Sequence, residues 1–455
     1  MEQSIQQELP ARAETGPAGE RVAGVRAEAG LAGQRAVTPE FPPLWRNLQF
    51  QALWAGTAAS SLGVNIAAVA YPLAILALTG SPARAGLFAA VQTCGTLLGG
   101  LPAGQLADRQ DRRMIVIAGE TVRAVVTGLV AVGLVFGWLT LAPLLLAAAV
   151  LGLAQPVTGA ARMPLLRSVV PPPQLTAALV QDEVRQDAAA LAGPPLAGVL
   201  FAVRELGHAV AFLVIAGTFA LSMASAVLMK VMPGGVDDGS DSKSGRQPAR
   251  DRLAATGRSG MLVGLRTIWS RPVLRSAMTL LMMVNTIGSG LDLIVIVILR
   301  DEHVRSGVIG LVLAAAAAGG LAGAPLVRIL HRLRPGVLLI CVCMVLVPVN
   351  AFLALPYGAW WAAMLLFVGM LGVPAIRVLL DVLVLRQAPD EERGRVVAAV
   401  MVLLALGIPI GTSGAGLLLQ YLPADIAVLV CAGVMAGGVA AFATRRVLLQ
   451  ARWPE

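Results

Sequence analysis

The sequence is short of charge, lysine and cysteine. Charged residues make up 13% of its 455 residues, about half the share found in a soluble domain. Neither of its two lysines, Lys230 and Lys243, follows a glycine, so there is no Gly-Lys-Ser/Thr loop for the phosphates of ATP. Two of the four cysteines, Cys341 and Cys343, point to different sides of a helix, which disfavours a disulfide or a metal site.

Groups suited to catalysis are also lacking. No nucleophile–base pair or metal-ligand cluster is recognisable in the polar segments. We therefore predict no catalytic residue, no metal and no cofactor. An enzyme and an ATP-driven pump are both disfavoured.

Apolar runs account for most of what is present, since 57% of the residues are hydrophobic. Runs of roughly 20 residues, the length needed to cross a bilayer as a helix, occur about twelve times. This pattern predicts an all-α membrane protein with twelve transmembrane helices. The approximate spans are 48–78, 84–105, 114–136, 139–161, 176–201, 208–231, 273–299, 307–330, 336–355, 359–385, 395–420 and 424–446.

Arginine is distributed unevenly between the loops. Alternate loops carry clusters of it, whereas the other loops hold only Arg84, Arg204, Arg300 and Arg305. Because positively charged loops stay on the cytoplasmic side, we expect both termini in the cytoplasm. The bias toward Ala, Gly and Arg is compatible with a high-GC bacterial source, so we expect the chain in the inner membrane of a bacterial cell. The net charge of +9 then indicates anchoring to anionic lipid rather than binding to nucleic acid.

One long polar interruption divides the spans six and six, which predicts two pseudo-symmetric six-helix bundles. The segment Gly193-Pro194-Pro195 of the first half has a counterpart in Gly407-Ile408-Pro409 of the second. Residues ~259–270 form an apolar and basic stretch that predicts a short amphipathic helix on the membrane surface. The predicted organisation is a disordered cytoplasmic tail 1–44, a first bundle 45–231, a linker 232–272, a second bundle 273–446 and a cytoplasmic tail 447–455.

A dense island of charge lies between the second and third spans. It reads Gly104-x-x-x-Asp108-Arg109-x-x-Arg112-Arg113. Gly104 would let helix backbones approach closely, and Asp108 could face the positive end of a neighbouring helix. The arginines would hold the turn at an anionic leaflet and pair with nearby aspartates. The simpler interpretation is a topology anchor alone.

The fifth predicted span contains Gly193-Pro194-Pro195-x-x-Gly198. A proline inside a helix frees a backbone carbonyl and introduces a kink, while glycine permits close contact with a neighbour. Ordinary helix packing is the alternative, because both residues are tolerated in membrane helices.

Together these motifs resemble the major facilitator superfamily. Leu106 to Arg113, Gly193-Pro194 and Pro389 to Arg395 look like its drug:proton antiporter branch, which includes macrolide and siderophore exporters. The resemblance covers residues ~45–446. It implies the major facilitator fold, export, and a role for Asp108 in latching the two halves in one of two access states. The branch often has an acidic residue in its first helix, but the stretch Ser61 to Asn65 has none.

Two aspartates within the spans are candidates for binding a proton or facing the substrate. A charge at the bilayer centre costs roughly 2.5–3.5 kcal/mol on insertion scales, so each requires a reason. Asp292 lies about two-thirds along the seventh span, and Asp187 lies within the fifth. A structural hydrogen bond to another helix is the alternative for both.

Other polar residues in the spans suit pairing or cavity contacts. Arg377 and Asp381 are one helical turn apart, so they either neutralise each other or form a gating pair. Glu120 and Arg123 have a similar spacing and are predicted to brace the charged loop. Asn65, Gln92 and Gln155 suit cavity hydrogen bonds or plain helix contacts.

The sequence therefore favours a secondary transporter. We expect a monomer in the lipid bilayer that exports a small amphiphilic compound, such as a drug, an antibiotic or another secondary metabolite, in exchange for protons. Such activity would confer multidrug resistance. An importer with the same fold, and a membrane receptor that does not transport, are the alternatives.

Overall fold

The computed structural model describes residues 43–203, 207–229, 258–330, 334–387 and 392–443. The N-terminal tail up to residue 42, most of the linker and the C-terminal tail from residue 444 lie outside these ranges. The described residues form fifteen α-helices and two short 3-10 helices, Leu44–Arg46 and Pro172–Gln174. The α-helices are α1 (Leu48–Thr79), α2 (Pro82–Arg109), α3 (Arg112–Val135), α4 (Leu141–Val169), α5 (Leu175–Ala202), α6 (Gly207–Leu228), α7 (Arg258–Ser270), α8 (Pro272–Asp301), α9 (Ser306–Gly323), α10 (Val327–Leu330), α11 (Pro335–Phe352), α12 (Ala359–Met370), α13 (Val373–Gln387), α14 (Arg393–Tyr421) and α15 (Ala424–Ala443).

The prediction of an all-α membrane protein is confirmed. Among the described residues, nine helical segments are long and apolar enough to cross a membrane, and the α12–α13 stretch counts as one of them. Helix α11 is apolar but shorter, while α2 and α5 are long helices that carry more polar residues. Every predicted span has a helical counterpart in the structure.

Two predicted spans are interrupted, which corrects the sequence interpretation. The eighth span was expected as one helix over 307–330, but α9 ends at Gly323 and a turn containing Pro325 precedes α10. The tenth was expected over 359–385, but it divides at Gly372 into α12 and α13, with Pro374 in the first turn of α13. A proline has no backbone N–H to donate to the preceding turn, so it ends or bends a helix at such points.

The helices assemble into two halves, α1–α6 and α8–α15. In the first half, α2 packs on α4, α3 on α6, and α1 on both α5 and α6. In the second half, α8 packs on α14, α9 on α12, and α11 on α15. Apolar side chains fill these contacts and form clusters that include Ile66, Phe212 and Ile294, all essentially without exposed surface.

The halves touch where α2 meets α14. A Cβ added at Gly86 would overlap the carbonyl oxygen of Thr412 and would lie close to the backbone of Gly416. Glycine therefore allows the two backbones to approach more closely than a side chain would permit. Just beyond, Ser81 Oγ lies 2.6 Å from Gln420 Oε1, to which it donates a hydrogen bond across the halves.

A second contact joins α5 to α9. A Cβ at Gly198 would overlap the carbonyl oxygen of Ser306, and one at Gly310 would overlap that of Pro194. Both contacts lie at the same end of the bundle as the contact between α2 and α14. We refer to this end, which carries Ser81 and Ser306, as the closed end, and to the opposite end as the open end.

Helix α7 is docked against the second half. A Cβ at Gly264 would overlap the carbonyl oxygen of Arg395 at the start of α14. Thr267 Oγ1 donates a 2.6 Å hydrogen bond to Glu392 Oε2, and Ile268 has no exposed surface. The amphipathic helix predicted in the linker is therefore present, and it packs on protein at the open end.

Candidate functional site

A cavity of about 440 Å³ lies between the two halves, and we call it the outer cavity. Its walls come from α1, α3, α4 and α5 of the first half, and Arg377 of α13 faces them from the second half. Glu183, Asp187 and Arg377 line it and are exposed. Since the halves meet at the closed end, this cavity communicates with the open end.

Beneath the wall of the outer cavity lies a buried carboxylate, that of Glu120 on α3. Its side chain has no exposed surface. Glu120 Oε1 accepts hydrogen bonds from Ser60 Oγ at 2.9 Å, from Arg123 Nη1 at 3.1 Å and from Arg162 Nη2. Three helices, α1, α3 and α4, thus meet at one oxygen atom.

The composition of this ion cluster leaves one positive charge in excess. Glu120 is the single acid, while Arg123 and Arg162 are both basic. The guanidinium of Arg123 also lies 4.0 Å from the ring centroid of Phe219, a cation–π contact in which the ring covers one face of the guanidinium. Buried charges persist in proteins when they are paired and hydrogen-bonded, as Glu120 Oε1 is. The second oxygen, Oε2, has no hydrogen-bond partner among the described residues.

A second ion pair joins α1 to α5. Arg185 is buried and donates to Asp182 Oδ1, to the carbonyl oxygen of Thr57 at 2.8 Å and to Ser61 Oγ at 2.6 Å. Arg185 and Asp182 are three positions apart on α5, so their ion pair lies within one helix turn, and Arg185 is buried against α1. Two adjacent serines of α1 therefore belong to different clusters. Ser60 donates to Glu120, whereas Ser61 accepts from Arg185.

A smaller space of about 270 Å³ adjoins the outer cavity, and we call it the inner cavity. It is lined mainly by the first half, with Ile408 of α14 from the second half. Polar side chains from four helices line it: Tyr71, Gln92, Thr93, Thr96, Arg123, Thr127 and Gln155. Apolar side chains such as Val64, Leu151 and Phe219 complete the wall. Arg123 and Gln155 line both cavities, so the two spaces are adjacent.

The structure brings several predicted site residues together at these cavities. Asn65, Gln155, Asp187 and Arg377 line the outer cavity, and Gln92 lines the inner one. Asn65 Nδ2 also donates to the carbonyl oxygen of Ser61 at 2.9 Å within α1.

Other predicted residues lie apart from the cavities. Asp292 of α8 lines neither cavity and makes no hydrogen bond or ion pair with a described residue. Asp108 lies near the end of α2 and Asp381 lies on α13, but their side chains are outside the described part of the structure. The proposed pairing of Asp381 with Arg377 therefore stays a prediction.

The charged loop between α2 and α3 acts within the first half. Asp111 caps α3 by accepting a 2.9 Å hydrogen bond from the backbone N–H of Arg113. Arg113 Nε donates at 2.9 Å to the carbonyl oxygen of Ala226, and its Nη2 donates to that of Val227. These carbonyls belong to the last turn of α6, where an arginine complements the negative end of the helix. Arg109 and Arg112 are exposed.

The expectation for Gly104 is wrong in this conformation. A Cβ at Gly104 would meet no described atom within 4 Å. The predicted close approach of helices therefore does not occur there among the described residues. By contrast, a Cβ at Gly193 would overlap Asn65 of α1. With Pro194 and Gly198 against α9, the Gly-Pro motif of α5 contacts α1 and the opposite half.

The cluster around Glu120 was only partly visible in the sequence. The spacing of Glu120 and Arg123 indicated their pair, but the pair joins α1, α3 and α4 rather than bracing the charged loop. The first helix lacks an acidic residue near Ser61, and α3 places its own carboxylate against Ser60 instead. The third member of the cluster, Arg162, was visible in the sequence only as an arginine near the end of an apolar run.

Comparison with protein families gives one match. A family model described as Major Facilitator Superfamily matches residues 53–412 and 278–452. No curated protein matches the sequence significantly.

Three solved structures with a similar fold are distant in sequence. A bacterial homologue of the human lysosomal transporter Spinster, inward-facing and unoccupied, is 14% identical with a TM-score of 0.66, over 91% of this chain and all of the other. A bacterial homologue of the iron transporter ferroportin, inward-facing, is 17% identical with a TM-score of 0.65, over 89% of this chain and all of the other. The nucleoside transporter NupG is 12% identical with a TM-score of 0.60, over 89% of this chain and 99% of the other. At these identities the likeness concerns the fold alone.

Proposed function

The chain belongs to the major facilitator superfamily, and on that premise we propose that it exports small amphiphilic compounds in exchange for protons. It is a multi-pass membrane transporter and not an enzyme. Its substrate is a small molecule. The direction of transport, the coupling ion and the amphiphilic character of the substrate are the proposed parts.

The single observation that carries the proposal is the cavity between two halves that touch at one end. In alternating access, a central site opens first to one side of the membrane and then to the other. The outer cavity is lined by both halves, and the contacts at Gly86 and Gly198 close one side of it. A cavity open on one side is the arrangement that such a cycle requires.

The distribution of arginine supports placing the open end in the cytoplasm. The arginines at or next to the open-end loops are Arg109, Arg112, Arg113, Arg167, Arg266, Arg271, Arg275, Arg328, Arg334 and Arg395, whereas the described residues at the closed end include only Arg84, Arg300 and Arg305. Positively charged loops remain cytoplasmic. The conformation is then inward-facing, ready to take up a compound from the cell interior.

The walls of the two cavities suit an amphiphilic substrate. The inner cavity combines apolar side chains such as Leu151 and Phe219 with the amides of Gln92 and Gln155. Ligand sites of this kind bury an apolar body and orient it through a few polar groups. Such walls offer less to a sugar, which requires a polar partner for each hydroxyl.

For proton coupling we propose Asp187. A coupling carboxylate must be reached from the cavity, and Asp187 lines the outer cavity, is exposed and has no ion-pair partner among the described residues. Glu183, one turn earlier on α5, also lines the cavity. Asp292 is the second candidate, although it lines neither cavity.

The test is transport by purified protein in liposomes with an imposed pH gradient. The panel contains lipophilic cations, macrolides and siderophores. We expect at least one compound to move against the proton flux and Asp187→Asn to uncouple that movement from the gradient. Asp425→Asn, which changes an exposed aspartate at the start of α15, should behave as the unchanged protein.

Two results would contradict the proposal. If no compound on the panel responds to the gradient, proton-coupled export of amphiphiles is wrong. If a compound accumulates in intact cells as expression rises, the protein is an importer.

A further inference from the structure

We propose that the inner cavity is a subsite for the carboxylate group of a monoanionic amphiphile, held by Arg123, Tyr71 and Thr127. The proposal rests on the proposed function, because it names the substrate class of that transporter. It goes beyond that function in assigning a charge to the substrate and a place to the charged group.

The first observation is a set of buried polar groups without partners. Tyr71 is 2% exposed and Thr127 has no exposed surface, and both line the inner cavity. Their hydroxyls lie near each other, but neither makes a hydrogen bond of acceptable geometry with any described residue. A buried hydroxyl left unpaired costs about 1–3 kcal/mol. Two such hydroxyls at one small cavity therefore indicate that a bound molecule supplies their hydrogen-bond partners.

The second observation is the unused hydrogen-bonding capacity of Arg123. A guanidinium has five N–H donors, and Arg123 uses only Nη1, toward Ser60 and Glu120, within the described residues. Arg123 is only 4% exposed. A fork of N–H groups that borders a cavity matches the two oxygens of a carboxylate.

Charge selects a monoanion. Of the side chains that line the inner cavity, Arg123 is the sole charged one in the described part of the chain. Behind it, Glu120 is shared between Arg123 and Arg162, so the cluster carries one uncompensated positive charge. One carboxylate neutralises this excess, whereas a phosphate dianion would leave a negative charge buried.

The two cavities differ in how their basic groups are balanced. In the outer cavity Arg162 and Arg377 are accompanied by two acids, Glu183 and Asp187, whereas no acid lines the inner cavity beside Arg123 in the described part of the chain. The apolar surface beside Arg123, formed by Val64, Leu151 and Phe219, accepts a hydrocarbon or aromatic body. The carboxylate thus enters the inner cavity, while the rest of the molecule extends toward the outer one.

The ring of Tyr71 is fixed independently of its hydroxyl. It stacks on Phe88 with centroids 4.5 Å apart and meets Phe212 edge-on at 4.8 Å. The change Tyr71→Phe therefore removes the hydroxyl and keeps the packing. Thr127→Val likewise keeps the shape of its side chain.

The experiment measures binding in detergent without any gradient. Three probes share one skeleton: phenylbutyrate as the anion, phenylbutanamide as the neutral analogue and phenylbutylamine as the cation. At neutral pH we expect phenylbutyrate to bind at least about tenfold more tightly than the other two, as hydrogen bonds to a charged group imply. Tyr71→Phe and Thr127→Val should each weaken its binding about five- to tenfold.

Tyr357→Phe is the matched control, because Tyr357 lies in the exposed turn before α12 and lines neither cavity. If the amide or the amine binds as tightly as phenylbutyrate, or if Tyr71→Phe and Thr127→Val bind it as the control does, the subsite is refuted. If phenylbutyrate binds as expected but nothing moves with a pH gradient, the subsite stands and the proposed function fails. If proton-driven export occurs without preference for the anion in binding, the function stands and the subsite fails.

Discussion

Arg162 of α4 donates a hydrogen bond to the carboxylate of Glu120 on α3, whose side chain has no exposed surface. The two residues are 42 positions apart in the sequence. The same carboxylate oxygen also holds Arg123 and Ser60. Hydrogen bonds to this one oxygen atom therefore hold three helices of the first half together.

Removing the Glu120 carboxylate should destabilise the protein strongly. Glu120→Ala leaves Arg123 and Arg162 buried without a counter-charge, and breaking a buried ion pair costs about 3–5 kcal/mol. We expect a large fall in the thermal unfolding temperature in detergent. Glu183→Ala, which alters an exposed acid of the outer cavity, should change that temperature little. Equal stability of the two variants would show that the cluster does not hold the helices.

Arg113 and Arg112 should differ although they are adjacent. Arg113 binds the last turn of α6 through two carbonyl oxygens, whereas Arg112 is exposed. Arg113→Ala should lower the free energy of unfolding by about 1–2 kcal/mol, in keeping with hydrogen bonds from a partly exposed charged group. Arg112→Ala should have an effect below about 0.5 kcal/mol. Chemical denaturation of the two variants side by side checks the difference.

A cross-link should lock the closed end. In a background without the four native cysteines, Ser81→Cys and Gln420→Cys place two thiols where the side chains now share a hydrogen bond. We expect rapid disulfide formation under mild oxidation, loss of transport and its recovery on reduction. The single variants, oxidised in the same way, should keep transporting. A cross-linked protein that still transports would exclude separation of α2 and α14 at this point during the cycle.

Two glycines of α9 should respond differently to the same change. A Cβ at Gly310 would overlap the backbone of Pro194 on α5, whereas one at Gly320 would meet no described atom within 4 Å. Gly310→Ala should therefore hold the halves apart at the closed end and reduce the yield of the Ser81–Gln420 cross-link. Gly320→Ala should leave the yield unchanged. Similar yields in both variants would mean that the contact between α5 and α9 does not govern closure.

Much of the fold follows from hydropathy, because the bilayer demands helices of a set length and apolar character. The same reasoning located Asn65, Gln92, Gln155 and Asp187, since a polar residue in an apolar run needs a reason to be there. All four line a cavity.

The contacts that the sequence did not predict join residues far apart along the chain. The spacing of three residues between Glu120 and Arg123 is visible in the sequence, but nothing local indicates that Arg162 completes the cluster. The unpaired hydroxyl of Tyr71 could not be predicted either, because a tyrosine within an apolar run is ordinarily interpreted as a core residue. The divisions after Gly323 and at Gly372 were missed because hydropathy does not register the backbone groups that Pro325 and Pro374 lack.

The sharing of Glu120 among three helices also bears on the order in which the protein is made. While α3 enters the membrane, Glu120 and Arg123 neutralise each other within that one helix. Arg162 becomes available only after α4 has left the ribosome, and so does the carbonyl oxygen of Val169 that receives Asn47 Nδ2 at the start of α1. The first helix thus completes its hydrogen bonds to the Glu120 cluster and to Val169 only when the fourth has been synthesised, and its packing on α5 and α6 comes later still. The early helices must wait in the bilayer until then.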